Sequence, residues 1–144
     1  MEIYRLCKQQ HLDICGFIEK AVFENDLRIG YDFVDPETGE TCMVARKKSI
    51  FECDVNPANP QRMGYHFYDE AWAWAESRIR LSQNHDILII DELGRLEAQN
   101  LGLMPALCAS LRQSPRHLIA AVRGNIIHDI EAHLGPFDNK VYVV

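Results

Sequence analysis

The sequence predicts an α/β fold, a three-layer and mainly parallel sheet with flanking helices and an inserted β-hairpin, forming one domain over residues 1–144. Three observations predict it. From residue 87 onward, short apolar stretches (Ile87 to Ile90, Leu118 to Val122, Val141 to Val144) are separated by helical ones. Strands without alternation, set between helices, argue for a parallel sheet covered on both faces. Earlier, "LRIGYDFV" (residues 27 to 34) alternates Ile29, Tyr31 and Phe33 against Arg28 and Asp32, and "DPETGE" supplies turn residues before "TCMVARK" returns as a partner strand. Finally, 144 residues at 47% hydrophobic and 25% charged can bury one core, with no repeat, low-complexity tract or linker to divide it.

Taken in order, residues 2 to 11 carry Ile3, Leu6 and Cys7 at helical spacing, and "LDICGFI" (residues 12 to 18) follows as a short strand broken by Gly16. After the hairpin, Pro57, Pro60 and Gly64 make residues 50 to 68 a loop around a short strand. Helical spacing resumes at Tyr68. "DEAWAWAESRIRL" opens with acids that favour a helix N-terminus, and its Trp72, Ala75 and Ile79 can share one stripe. Trp74 points to a different side, and burial of one tryptophan against the hairpin is expected. Strand 87–90 leads to a helix with Leu101, Met104, Leu107, Cys108 and Leu111 on one side. The last helix takes Asn125 as its N-cap and Gly135 as its stop, with Ile126, Ile127, Ile130 and Leu134 inward.

A formal charge of -6 argues against sequence-independent nucleic-acid binding, which draws on Lys and Arg replacing phosphate counterions. No apolar run approaches the ~20 residues needed to span a bilayer. Met1-Glu2-Ile3-Tyr4-Arg5 has no signal-peptide core, so no membrane partner and a cytoplasmic location are expected. The five cysteines are scattered without a C-x-x-C pair, which suits reduced core fillers better than a disulfide framework or a zinc site.

The stretch "DILIIDELGRLE" (residues 86 to 97) ends an apolar strand in two acids. In an open parallel sheet, ligands collect at the carboxyl ends of strands. Four branched apolar residues followed by Asp-Glu is also the form of the acidic strand of phosphate-loop NTPases, where the Asp orders magnesium and a following acid can orient water. The bland alternative is a strand surfacing into water. Gly94, Arg95 and Glu97 then add a turn, a cation and a third acid close to the same strand end. His128 and Glu131, three apart with Ile127 and Ile130 interleaved, read as a solvent side rather than a metal site.

Read together, Gly16-Phe17, Arg28-Ile29-Gly30-Tyr31-Asp32-Phe33-Val34, Val44-Ala45-Arg46, Ile90-Asp91-Glu92-Leu93-Gly94-Arg95-Leu96-Glu97 and Val122-Arg123 fall in the order and spacing of a family pattern. The chain resembles the THEP-type nucleoside-triphosphatases of the phosphate-loop NTPase superfamily over nearly its whole length. The resemblance implies ATP or GTP as substrate, hydrolysis to diphosphate and phosphate, Mg2+ as cofactor, Asp91 as its water-mediated contact and Glu92 as the residue that orients water. Arg95 and Arg123 are candidates to neutralise phosphoryl charge, or to pair with Glu97 or Asp91 as structure. Arg46 is a candidate nucleotide contact, or simply a solvated strand end.

One part of the pattern is absent. Members open with a strand and a G-x-x-x-x-G-K-S/T loop whose N-H groups cradle phosphates. Among Lys8, Lys20, Lys47, Lys48 and Lys140, none follows a glycine. The expected domain is therefore P-loop NTPase-like but N-terminally truncated, with the missing unit falling immediately before Met1. An incorrectly placed start, a loop supplied by another chain, or a non-catalytic binding module each accounts for this; a nucleotide kinase is a further alternative. Removal of a central strand would leave a gap to be closed by repacking, by a homo-oligomer or by a partner chain.

Overall fold

The computed structural model describes residues 2–48, 64–113 and 117–135. The predicted strand at Val141 to Val144 lies outside them. Six strands, β1 (Ile14–Glu24), β2 (Leu27–Val34), β3 (Thr41–Lys47), β4 (Tyr65–Phe67), β5 (Ile87–Leu93) and β6 (His117–Val122), form one sheet in the order β4-β3-β2-β1-β5-β6. Helices are α1 (Glu2–Gln9), α2 (Asp69–Leu81), α3 (Arg95–Ala98), α4 (Met104–Leu111) and α5 (Ile127–Leu134).

The α/β class and the flanking helices are as expected, but the described sheet is mixed rather than mainly parallel. β1-β5 and β5-β6 pair in parallel, whereas β1-β2, β2-β3 and β3-β4 are antiparallel. The cause is β1. It pairs with β5 only from Ile14 to Phe17 and then runs on to Glu24 as one arm of a ribbon with β2. Asn25 and Asp26, at φ 46° and 61°, make the turn between the arms, and two successive positive φ values match the twist of a tight hairpin. β5 pairs directly with β6 from Ile87↔His117 to Leu93↔Val122, so the described strands leave no vacant position between them.

The sheet has helices on both faces. α1 covers one of them, where Cys7 buries against Ile14, Ile87 and Ile89 with Tyr4 alongside. Leu6 is not part of that contact and stands exposed, because the inward side of α1 runs through Tyr4 and Cys7. On the other face α2, α4 and α5 bury Ala71, Ala75, Ile79, Met104, Leu107 and Ile130 against Phe17, Leu88 and Ile90. Each large side chain removed from water there contributes about 1.5–3 kcal/mol. Leu101 stays exposed: Asn100 and Gly102, both at φ 58°, turn the chain before α4 begins at Met104, which puts Leu101 out of phase with the stripe.

Both tryptophans of α2 are half-buried. Trp74 stacks on Phe33 of the hairpin, donates to Glu40 (3.2 Å) and lies beneath the Arg78 guanidinium (4.6 Å). Arg78 in turn pairs with the buried Asp35 (3.3 Å) and with Glu40, so the hairpin end is fastened to α2. α5 starts without the expected Asn125 cap; a 3-10 turn over Gly124–Ile126 precedes it and buries Ile126. Gly135 ends it at φ 89°, as expected.

Candidate functional site at the carboxyl end of β5

The four apolar residues of β5 are buried on both faces, and the strand carries straight on into Asp91 and Glu92, which are half-buried. Burial is interrupted at the two acids, where β1 has left the strand, and returns at Leu93. The last β1-β5 pair is Phe17↔Ile90, and beyond it β1 keeps only β2 as a neighbour. The two acids therefore sit where the parallel and antiparallel halves separate, at the carboxyl end of a parallel strand.

Glu92 is held by Arg123, the residue that follows β6. Arg123 Nη2–H and Nε–H donate to Glu92 Oε1 at 2.7 and 3.1 Å. The partner expected for this arginine was a phosphoryl group, Glu97 or Asp91; the contact made is to Glu92. Asp91 makes no hydrogen bond or ion pair among the described residues. Partial burial and the negative charge of Glu92 raise its carboxyl above the ordinary aspartate value.

A third carboxylate belongs to this corner, Glu19 on β1, which the sequence did not single out. Its pKa is raised by desolvation and then by Glu92 and Asp91, against the lowering effect of Arg123 and Arg28. Glu19 lies two residues beyond Phe17, the last β1 residue paired with β5, on the arm that pairs with β2 opposite Phe33, a placement that depends on where β1 leaves β5.

Glu97, by contrast, is structural. It is 4% exposed, and its two oxygens accept the Gly94 N–H (2.9 Å) and the Leu103 N–H (3.0 Å), tying both ends of the turn after β5. Gly94 has no side chain to return the contact, so only half of a capping box exists. Arg95, the first residue of α3, is exposed and has no ion-pair partner among the described residues. Arg46 lies on the antiparallel half. It pairs with Asp32 (2.7 Å) and donates to the Tyr31 and Ala45 carbonyls (3.0 and 2.8 Å), while Gly30 leaves room for it: a Cβ there would lie 2.9 Å from the arginine Cδ. His128 and Glu131 meet at 3.4 Å with the imidazole in solvent, as expected.

Among the described residues no three His, Cys, Asp or Glu side chains gather as a metal site. Magnesium, however, commonly takes only one or two carboxylates and completes its shell with water and substrate phosphates. The donor set fits a metal that arrives with phosphates better than one resident in the protein. No described helix is long and apolar enough to cross a membrane.

A family model described as NTPase matches residues 1–144. Nucleoside-triphosphatase THEP1 of Pyrobaculum aerophilum is 32% identical over 127 residues, 88% of this chain and 66% of that protein. Nucleoside-triphosphatase THEP1 of Pyrobaculum calidifontis is 28% identical over 117 residues, 81% of this chain and 61% of that protein. This chain thus spans about two thirds or less of the length of these curated relatives. The solution structure of a human cancer-related nucleoside triphosphatase superposes with a TM-score of 0.60 at 20% identity, over 90% of this chain and 73% of that one, a likeness of fold.

Proposed function

The chain belongs to the NTPase family, and on that premise we propose that it serves the magnesium-dependent hydrolysis of ATP or GTP to diphosphate and phosphate, the phosphate-binding loop being contributed by preceding chain or by a partner. The observation that carries this reading is the Asp91-Glu92 pair at the carboxyl end of β5, half-buried and beside the point where β1 departs.

Asp91 is the residue suited to a magnesium contact, direct or through water, since it is unpaired among the described residues and hard oxygen is what the ion requires. Bound there, the ion would offset charge on the substrate's terminal phosphates. Glu92 accepts a hydrogen bond from the attacking water and orients it. Arg95, exposed one turn beyond the acids, is available to meet phosphoryl charge as it develops. A nucleotide contact by Arg46 would require exchange of its bonds to Asp32 and the two carbonyls. A cytoplasmic setting suits the substrate, and the outer edge of β6, unpaired among the described residues, is where a second chain would extend the sheet.

The test is turnover and binding measured together. Magnesium-dependent ATP or GTP hydrolysis is expected, reduced to a small residual rate in Glu92→Gln while nucleotide binding survives. The directly paired β5 and β6 favour a second reading, a binding or assembly module derived from an NTPase. Magnesium-nucleotide binding without turnover, unchanged by Glu92→Gln, selects that reading instead.

A further inference from the structure

Arg123 grips Glu92 from one side only. Both of its donors fall on Oε1, and Oε2 has no partner among the described residues. The side chains are 61% and 36% exposed, too open for the pair to carry the fold. What two charge-assisted donors on one oxygen do achieve is to anchor Oε1, leaving Oε2 as the acceptor that faces away from the arginine. The backbone sets this geometry: Leu93 is in register with Val122, so the residue before one and the residue after the other meet across the strand ends.

We propose that Arg123 is a positioning residue that acts through Glu92, aiming Oε2 at the attacking water, and does not itself bind the phosphates. The inference rests on the hydrolase reading. In the step concerned, the water oxygen bonds to the γ-phosphorus while the bond from that phosphorus to the bridging oxygen breaks. The electron pair leaves with the nucleoside diphosphate, and the water proton departs along its hydrogen bond to Oε2.

A double-mutant cycle on the full protein separates the roles, with Mg-ATP for turnover and magnesium with a non-hydrolysable ATP analogue for affinity. Arg123→Met is expected to lower kcat about 10- to 100-fold, the scale of a misplaced catalytic group, with the analogue's Kd within about twofold of wild type. Arg123→Lys should recover part of the loss, and it decides the matter if the methionine variant does not fold. In a Glu92→Gln background, Arg123→Met should cost nothing further, because the group it positions has gone. Losses that multiply, or a weakened Kd with kcat preserved, overturn the proposal and put Arg123 on the phosphates. Turnover that needs Glu92 but is indifferent to Arg123 defeats this inference alone; a wild-type protein without turnover defeats the hydrolase reading and this inference with it.

Discussion

A Cβ at Gly16 would lie 1.9 Å from the carbonyl oxygen of Ile89, so β1 and β5 can pair only because position 16 carries no side chain. Its φ of 115° is also one that L-residues avoid. The glycine therefore sets the closeness of the two strands whose separation, one residue later, opens the corner where Asp91 and Glu92 sit.

Gly16→Ala should cost at least about 3 kcal/mol, combining backbone strain with displacement of β5. Gly39→Ala is the control, since Gly39 also has positive φ (74°) but nothing within 4 Å of a Cβ. It should lose only about 1–2 kcal/mol. Urea unfolding followed by far-ultraviolet circular dichroism gives both values, and equal losses would deny that contact with Ile89 matters.

Glu97 gives a different kind of dependence. Its removal leaves the Gly94 and Leu103 N–H groups without their acceptor in a buried turn. Glu97→Ala should destabilise by about 2–6 kcal/mol, at about 1–3 kcal/mol for each of the two orphaned groups. Glu97→Gln retains one acceptor oxygen and should fall between. Turnover per folded molecule should change little in the glutamine variant; a large drop in kcat there, with stability kept, would return Glu97 to the chemistry.

For Arg46 the question is whether its bonds to Asp32, Tyr31 and Ala45 are its whole purpose. If so, Arg46→Gln lowers stability by about 1–2 kcal/mol and leaves magnesium-nucleotide affinity within about twofold. Equilibrium binding at a temperature well below both unfolding midpoints decides it. A weakened Kd in a fully folded variant would place the guanidinium on the nucleotide.

Legibility in the sequence followed the range of the interaction. β5 was readable because Ile87 to Ile90 is buried on both faces, and such strands lose their alternation. The hairpin of β2 and β3 was readable from alternation and turn residues within one short window. The extension of β1 to Glu24 was not, since "EKAVFE" has a mostly exposed outer arm and no strong alternation; its one signal was the Asn25-Asp26 turn. The acids were visible as a pair, but their division of labour was not. Glu92 finds Arg123 across 31 residues, Glu97 turns back on the main chain, and Glu19 comes under the influence of the acids from β1 only after that strand has parted from β5. Each is decided by the third dimension.

The raised carboxyl of Asp91 yields a prediction with a definite sign. Burial and Glu92 make the folded protein hold this proton above the usual value of 3.8. A carboxyl whose folded pKa exceeds its unfolded one favours the fold fully below the unfolded pKa, and that contribution is lost as pH rises through the folded pKa. The wild-type protein should thus give up stability from about pH 4 upward on account of this group. Asp91→Asn, which has no charge to desolvate, should not. The variant's Tm should exceed that of wild type at about pH 8, and the gap should close by about pH 3, where both states are protonated. Mg-ATP should reverse the ranking at the higher pH, because a ligand bound only by the native state raises its Tm and the variant lacks the charged oxygen for the ion. A Tm difference that does not vary with pH would mean that Asp91 does not ionise against an opposing environment in the folded protein.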